Sequence, residues 1–256
     1  MNILKQIVLD LQPQVEERKQ RVPLPELLKQ LADLPPVADF SAAFRPDRSN
    51  IIAELKKASP SKGILRADFN YCDCAVELEA AGAAALSVLT ERNYFQGSLE
   101  YLQEVSRIVK IPLLCKDFIV EPYQICEAKL HGASAILLIA ALLTPTELHR
   151  LADFAMDLGL SVLGEAHNEA ELTVLLDGGI RLIGINARNL KTFACDLELV
   201  KHLLAQIPSE RIAIAESAIK NRAELLALKQ AGARGFLIGE TLMRAEHPGE
   251  KLKELL

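Results

Sequence analysis

Eight short apolar runs recur along the chain, at 50–53, 84–89, 111–115, 135–139, 161–164, 181–185, 212–215 and 235–238. Each has the length of a strand and is almost continuously hydrophobic, as expected of parallel strands buried on both faces. Segments with a helical period lie between them. In the clearest, Thr144-Pro145-Thr146-Glu147 reads as an N-cap, a proline at the first helical position and a capping-box glutamate. Behind it Leu148, Leu151, Ala152, Ala155 and Leu158 form an apolar stripe, and Gly159 is placed to end the helix. The junctions repeat as well. Ala81-Gly82-Ala83, His131-Gly132-Ala133 and Ala231-Gly232-Ala233 each precede a run, and Asp177-Gly178-Gly179 stands in a similar place. A glycine there accepts the left-handed conformation that closes a helix before the next strand.

Eight strand–helix units predict an α/β chain with a single closed (β/α)8 TIM barrel. An open doubly wound sheet gives a similar alternation. Against it, no G-x-G-x-x-G follows the first run, and eight is the number that closes a barrel. Residues 50–256 are therefore expected to form the catalytic barrel. Residues 1–49 carry helical patterns at 3–19 and 24–31, then Pro35-Pro36, and are expected to form an N-terminal helical extension packed on it.

Composition narrows the partners. Half of the 256 residues are hydrophobic and a quarter are charged, which excludes a disordered, collagen-like or coiled-coil chain. Lys and Arg total 29 against 34 Asp and Glu, a net charge of −5, so no basic footprint for nucleic acid is expected. Charged residues interrupt the first helical pattern, and the longest apolar run, 135–143, is about half of a membrane span. The five cysteines are odd in number and include no C-x-x-C pair, which points to free thiols in the reducing cytoplasm and no metal site. A monomer or weak homo-oligomer acting on a small molecule is the expectation.

In barrels of this kind chemistry gathers at the C-terminal ends of the strands. The first run leads into Glu54 and Lys56, which period-two alternation puts on one face. Later runs lead into Lys116-Asp117-Phe118, Glu165, Asn186 with Arg188, Glu216-Ser217 and Gly239. One such charged residue is usually structural, but six of eight ends carrying polar or backbone-exposing residues point to an active site. Lysine suits phosphate or carboxylate, and glutamate suits proton transfer, so an anionic substrate handled by acid–base chemistry is expected. The turns Glu216-Ser217-Ala218-Ile219 and Ile238-Gly239-Glu240-Thr241 fall at the usual phosphate position of the fold. Their backbone N–H groups and the Ser217 hydroxyl are the candidate donors.

Six stretches resemble the indole-3-glycerol-phosphate synthase family, over essentially the full length. The most specific runs from Ile51 through Glu54-Leu55-Lys56-Lys57-Ala58-Ser59-Pro60-Ser61-Lys62 to Gly63. The others are Leu89-Thr90-Glu91 through Phe95-Gln96-Gly97-Ser98, Leu114-Cys115-Lys116-Asp117-Phe118, Glu165-Ala166-His167, Gly184-Ile185-Asn186 through Arg188-Asn189-Leu190, and Glu216-Ser217. The resemblance implies a carboxy-lyase of tryptophan biosynthesis that uses no cofactor. Its substrate, 1-(2-carboxyphenylamino)-1-deoxyribulose 5-phosphate, closes to indole-3-glycerol phosphate with loss of CO2 and water.

By matching position, the resemblance implies that Lys116 is the general acid at the substrate carbonyl, and that Lys56 holds the substrate carboxylate and can also act as an acid. Glu165 would handle the protons of dehydration, with Glu54, Asn186 and Glu216 positioning it and the substrate. Ser59, Ser217, Gly239 and Glu240 fall where the family holds phosphate, Glu240 through its backbone N–H. Phe95, Phe118, Arg188 and Leu190 would flank the anthranilate ring and its carboxylate. A lysine among other cations is expected to have a lowered pKa and so to donate near neutrality.

Three residues depart from the family pattern. Ala218 replaces a usual glycine, at a cost if φ there is positive. Ala187 replaces a usual asparagine, and Gly164 replaces a larger residue, which is expected to loosen the strand that aims Glu165. Two other readings compete. A different sugar-phosphate barrel such as phosphoribosylanthranilate isomerase needs a cysteine at the end of strand one, where Glu54 and Lys56 stand. A non-catalytic barrel acting as a partner or scaffold has no reason to keep Glu54, Lys56, Lys116, Glu165 and Asn186 together.

Overall fold

The computed structural model describes residues 3–188 and 196–256. The barrel strands are β1 (Asn50–Leu55), β2 (Ala85–Leu89), β3 (Leu113–Lys116), β4 (Ala135–Ile139), β5 (Ser161–Ala166), β6 (Leu182–Asn186), β7 (Ile212–Glu216) and β8 (Gly235–Ile238). All pair in parallel with their sequence neighbours. Closure comes from β1, which pairs with β2 through Ile52↔Ala85 and with β8 through Asn50↔Gly235. An open sheet is thereby excluded.

Each apolar run lies within or overlaps a strand, but five strands continue past it. β1, β3, β5, β6 and β7 take in Glu54, Lys116, Glu165, Asn186 and Glu216. Ladder hydrogen bonds join backbones and are indifferent to side-chain polarity, whereas a hydropathy pattern stops at the first charge. The registers Leu89↔Lys116, Ile139↔Glu165 and Asn186↔Glu216 thus hold the polar residues inside the sheet. These side chains stand on strands rather than on loops.

Alternation along the strands splits the core in two. Ile51, Ala53, Val88, Ile136, Leu138, Ile183, Ile185 and Phe236 pack outward with the helices. Ile52, Leu114, Leu137, Leu163, Ile214 and Leu237 fill the interior. The helices of the outer layer are α3 (Tyr71–Ala80), α4 (Leu99–Ile108), α5 (Pro122–Leu130), α6 (Pro145–Asp157), α7 (Glu169–Asp177), α8 (Leu197–Leu204), α9 (Arg222–Gln230), α10 (Glu240–Met243) and α11 (Pro248–Leu255), numbered after two N-terminal helices. In α6 the anticipated capping box forms: the Thr144 hydroxyl accepts from the Glu147 N–H at 3.3 Å, and the Glu147 carboxylate accepts from the Thr144 N–H at 2.9 Å. Gly159 follows with φ +78°.

The N-terminal helices are α1 (Ile3–Arg21) and α2 (Leu24–Ala32). α1 buries Leu4, Ile7, Leu11 and Val15, one stripe at helical spacing, in the same cluster as the barrel interior. Arg18 Nε pairs with Glu127 Oε1 at 2.7 Å, and the Tyr123 hydroxyl donates to the Val22 carbonyl at 3.0 Å. α5, caught between this layer and the barrel, buries six successive residues from Tyr123 to Ala128. That is why its sequence has no clear polar face. Phe40 and Phe44 pack against each other, and Phe44 occupies the space that a side chain at Gly235 would need, at the start of β8.

Among the described residues no helix is long and apolar enough to cross a membrane. Cys72, Cys74, Cys115 and Cys126 are free thiols.

Candidate active site

A cavity of about 410 Å³ opens at the C-terminal end of the barrel. Glu54, Lys56, Ser59, Phe95, Lys116, Phe118, Glu165, Asn186, Arg188, Glu216, Ser217, Gly239 and Glu240 all line it, so the structure gathers these sequence-derived candidates in one place. Leu190 lies outside the described residues. Ile3, Leu4 and Ile7 of α1 supply part of the apolar lining, which no motif indicates.

At the centre Lys116 Nζ lies 3.4 Å from Glu165 Oε2 and 3.8 Å from Glu216 Oε2. Both glutamates are buried, at 3% and 1% exposure. Two adjacent carboxyls in such surroundings do not both ionise freely. Burial and the charge of Glu165 push Glu216 well above the usual carboxylate range. Burial also opposes ionisation of Glu165, but the charges of Lys116 and His167 overcome it and hold its pKa below the ordinary value. The two carboxyls are thus shifted in opposite directions, Glu165 toward its ionised form and Glu216 toward its protonated form.

Lys116 corrects an expectation. Its neighbours are carboxylates rather than cations. Burial lowers its pKa, but Glu165, Glu216 and Glu54 outweigh burial and raise it above the ordinary lysine value. The lysine is thus fully loaded with its proton at neutral pH. The cation that could have lowered it, Lys56, is itself engaged, since its Nζ donates to Glu54 Oε2.

Two glycines make room for the acids. A Cβ on Gly184 of β6 would collide with the Glu216 carboxylate, and one on Gly239 would collide with that of Glu54. Both positions face the interior, where only a missing side chain lets the acids lie against the barrel wall. Asn186 Oδ1 accepts from the Ser217 hydroxyl at 2.8 Å and from the Arg188 N–H at 3.0 Å. The Ser217 hydroxyl is therefore spent on Asn186 and does not point free toward a phosphate.

The aromatic wall has its own support. Phe95 and Phe118 lie with ring centroids 5.9 Å apart. The buried Glu91 carboxylate accepts from the backbone N–H groups of Asn93, Tyr94 and Phe95 at 2.8, 2.7 and 3.0 Å, shaping the turn that presents Phe95. The motif contains Glu91, but nothing in the sequence marks it as buried. The Glu240 carboxylate lies 3.1 Å from Arg244, 3.7 Å from Arg188 and 3.9 Å from Lys62. Arg188 and Lys62 are thus drawn to the segment containing Gly239.

Comparison with known proteins decides the family. The family model described as indole-3-glycerol phosphate synthase matches residues 4–255. The chain belongs to the indole-3-glycerol phosphate synthase family. A relative of that name from Alkaliphilus metalliredigens (strain QYMF) is 45% identical over 254 residues, covering 99% of this chain and 97% of the relative. Another of the same name, from Dehalococcoides mccartyi (strain CBDB1), is 43% identical and covers 99% and 100%. Among solved structures, KGPDC from Streptococcus mutans aligns with a TM-score of 0.61 at 12% identity, over 81% of this chain and 95% of that one. The tryptophan synthase complex from Pyrococcus furiosus gives 0.60 at 15%, over 80% and 97%. These two show the shared barrel fold.

The three departures from the indole-3-glycerol phosphate synthase pattern now have physical readings. Gly164 faces the helix layer, and Leu175 of α7 and Ile180 fill the space a side chain would take, so packing compensates for the missing side chain. Ala187 is buried, and its N–H donates to the Glu216 carbonyl at 3.0 Å. Ala218 has φ +61° and follows Ser217 at φ +67°, two consecutive left-handed residues with side chains. Such strain costs about 1–3 kcal/mol, and glycine gives back some of the gain through a freer unfolded chain. Ala218→Gly is therefore expected to stabilise the fold by about 1 kcal/mol, measured by urea unfolding. A loss of stability would refute the strain.

Proposed function

We propose that the residues around this cavity carry the indole-forming reaction in the following roles. The substrate's carboxylate pairs with Lys56, and its aromatic ring lies along Phe95 and Phe118, with Arg188 near the carboxylate. Lys116 protonates the carbonyl oxygen as the ring closes. A loaded ammonium at that oxygen lowers the barrier by supplying a proton and by stabilising charge that develops only in the transition state. Decarboxylation then restores aromaticity, and exclusion of water by the α1 side chains assists it. In dehydration Glu165, held ionised, accepts the proton lost from carbon, while the departing hydroxyl takes a proton from Lys56 and leaves as water. Glu216 and Asn186 fix the position of Glu165, and Glu54 does the same for Lys56. The phosphate is held by Ser59 and by backbone N–H groups of Ser217, Gly239 and Glu240.

The observation that supports this reading most directly is the position of Lys116 Nζ, 3.4 Å from Glu165 Oε2 and 3.8 Å from Glu216 Oε2, in the wall of the cavity. A proton donor and a proton acceptor stand side by side without neutralising each other's function. The test is to incubate purified protein with the carboxyphenylamino-deoxyribulose phosphate and follow indole absorbance and fluorescence. The chain has no tryptophan and only four tyrosines, so it is nearly dark where an indole product emits. Appearance of the signal, and its loss in Glu165→Gln, is expected. No signal from folded protein would overturn the reading in favour of a non-catalytic barrel.

A further inference from the structure

One residue of the sequence motifs has no role in the steps above. His167 follows the Glu165 strand end, does not line the cavity, and its side chain is only 10% exposed. Its Nδ1 lies 3.1 Å from Glu171 Oε2 at the start of α7, and the same carboxylate oxygen accepts the His167 backbone N–H at 2.8 Å. Its Nε2 lies 3.3 Å from Glu165 Oε1. That nitrogen is buried and has no hydrogen-bond partner of good geometry among the described residues. Glu165 is therefore bracketed, with Lys116 at Oε2 and the imidazole at Oε1.

We propose that His167 is a positioning residue for the reaction, an imidazolium clamped between Glu165 and Glu171 that holds the Glu165 carboxylate ionised and aimed at the cavity. An imidazole with a carboxylate at each nitrogen is best satisfied when both nitrogens carry protons. The charged groups facing it are Glu165 on β5, Glu171 on α7 and Lys116 on β3. Burial and Lys116 oppose its charge, but the two carboxylates prevail and raise its pKa above the ordinary histidine value. Glu171 is itself held below the usual range, against burial, by its bonds to His167. The long Nε2 contact is the one free to tighten when substrate enters and the carboxylate is drawn to its working position.

This inference rests on Glu165 as the proton acceptor. The acid limb of kcat then reports Glu165 in the substrate complex. Removing a positive charge beside a carboxylate raises its pKa, so His167→Gln is expected to move that limb upward by about one pH unit. At pH values below the wild-type limb the variant is then about tenfold slower, the two converge toward pH 8, and KM is unchanged. Glu171→Gln, which leaves the cavity wall untouched, is expected to shift the limb in the same direction by less. Histidine resonances titrated by NMR, with His167→Gln assigning one of the five, are expected to show His167 still protonated when ordinary histidines have lost their protons. A limb that stays in place in both variants overturns the inference, as does a His167 resonance that titrates at or below the ordinary value. If His167→Gln fails to fold, the acid limb of Glu171→Gln decides. An active Glu165→Gln would sink the acceptor role itself, whereas an inactive one with an unmoved limb sinks only His167.

Discussion

Lys116→Ala is expected to abolish turnover while leaving ligand binding in place. Loss of a positioned general acid lowers kcat by on the order of 10²–10⁴. Lys116 is the cation at the centre of Glu54, Glu165 and Glu216, and no other lysine takes its place, because Lys56 is held by Glu54. Binding depends on groups elsewhere in the cavity, so product affinity, read by its own fluorescence, is expected to remain within a few-fold of wild type. The buried site also needs the lysine for neutrality. Taking one partner from a buried charged cluster costs about 3–5 kcal/mol when nothing compensates, and here Glu165 can relieve part of this by taking up a proton. Lys116→Met, which keeps the side chain's length, separates loss of the acid from loss of packing. Turnover near wild type in either variant would refute the assignment.

Gly184→Ala is expected to cost about a hundredfold in kcat, the scale of an ångström-sized displacement of a catalytic group. The added Cβ would strike the Glu216 carboxylate and lie 3.4 Å from Leu163 Cδ1. Glu216 is 1% exposed, lies 3.8 Å from Lys116 and lines the cavity, so a displaced carboxylate alters the site itself. Displacing Glu216 changes the charge around Lys116 and Glu165 as well as the geometry, so the pH profile is expected to change along with the rate. Overpacking of this kind typically destabilises by about 1–3 kcal/mol, measurable by urea unfolding. An alanine variant with wild-type kcat and pH profile would mean that the close approach of Gly184 and Glu216 has no part in catalysis.

Much of this molecule is legible along the chain. The eight apolar runs map onto the eight strands, the Thr144 cap and Gly159 bound α6, and the residues at strand ends become one cavity wall. These features are local. A strand's hydrophobicity, a helix cap and a period-two alternation each depend on residues a few positions apart, so the sequence alone determined the fold class and the set of polar groups delivered to the rim. It also carried enough motif to indicate the family.

Other properties depend on distances between groups far apart in sequence, and only the tertiary structure decided them. Lys116 has a raised pKa because β5 and β7 bring Glu165 and Glu216 within 4 Å of it, where the chain read alone suggests cations. Glu216 is pushed up by burial and by Glu165, while Glu165 is held down against burial by Lys116 and His167, partners that come from other strands or from beyond its own strand end. Gly184 and Gly239 matter through what lies across the barrel from them, and the first residues of α1 matter because the chain folds back over the barrel mouth. Periodicity is written in neighbouring residues. Protonation and clearance are set by charge and contact through space, and those exist only once the barrel has closed.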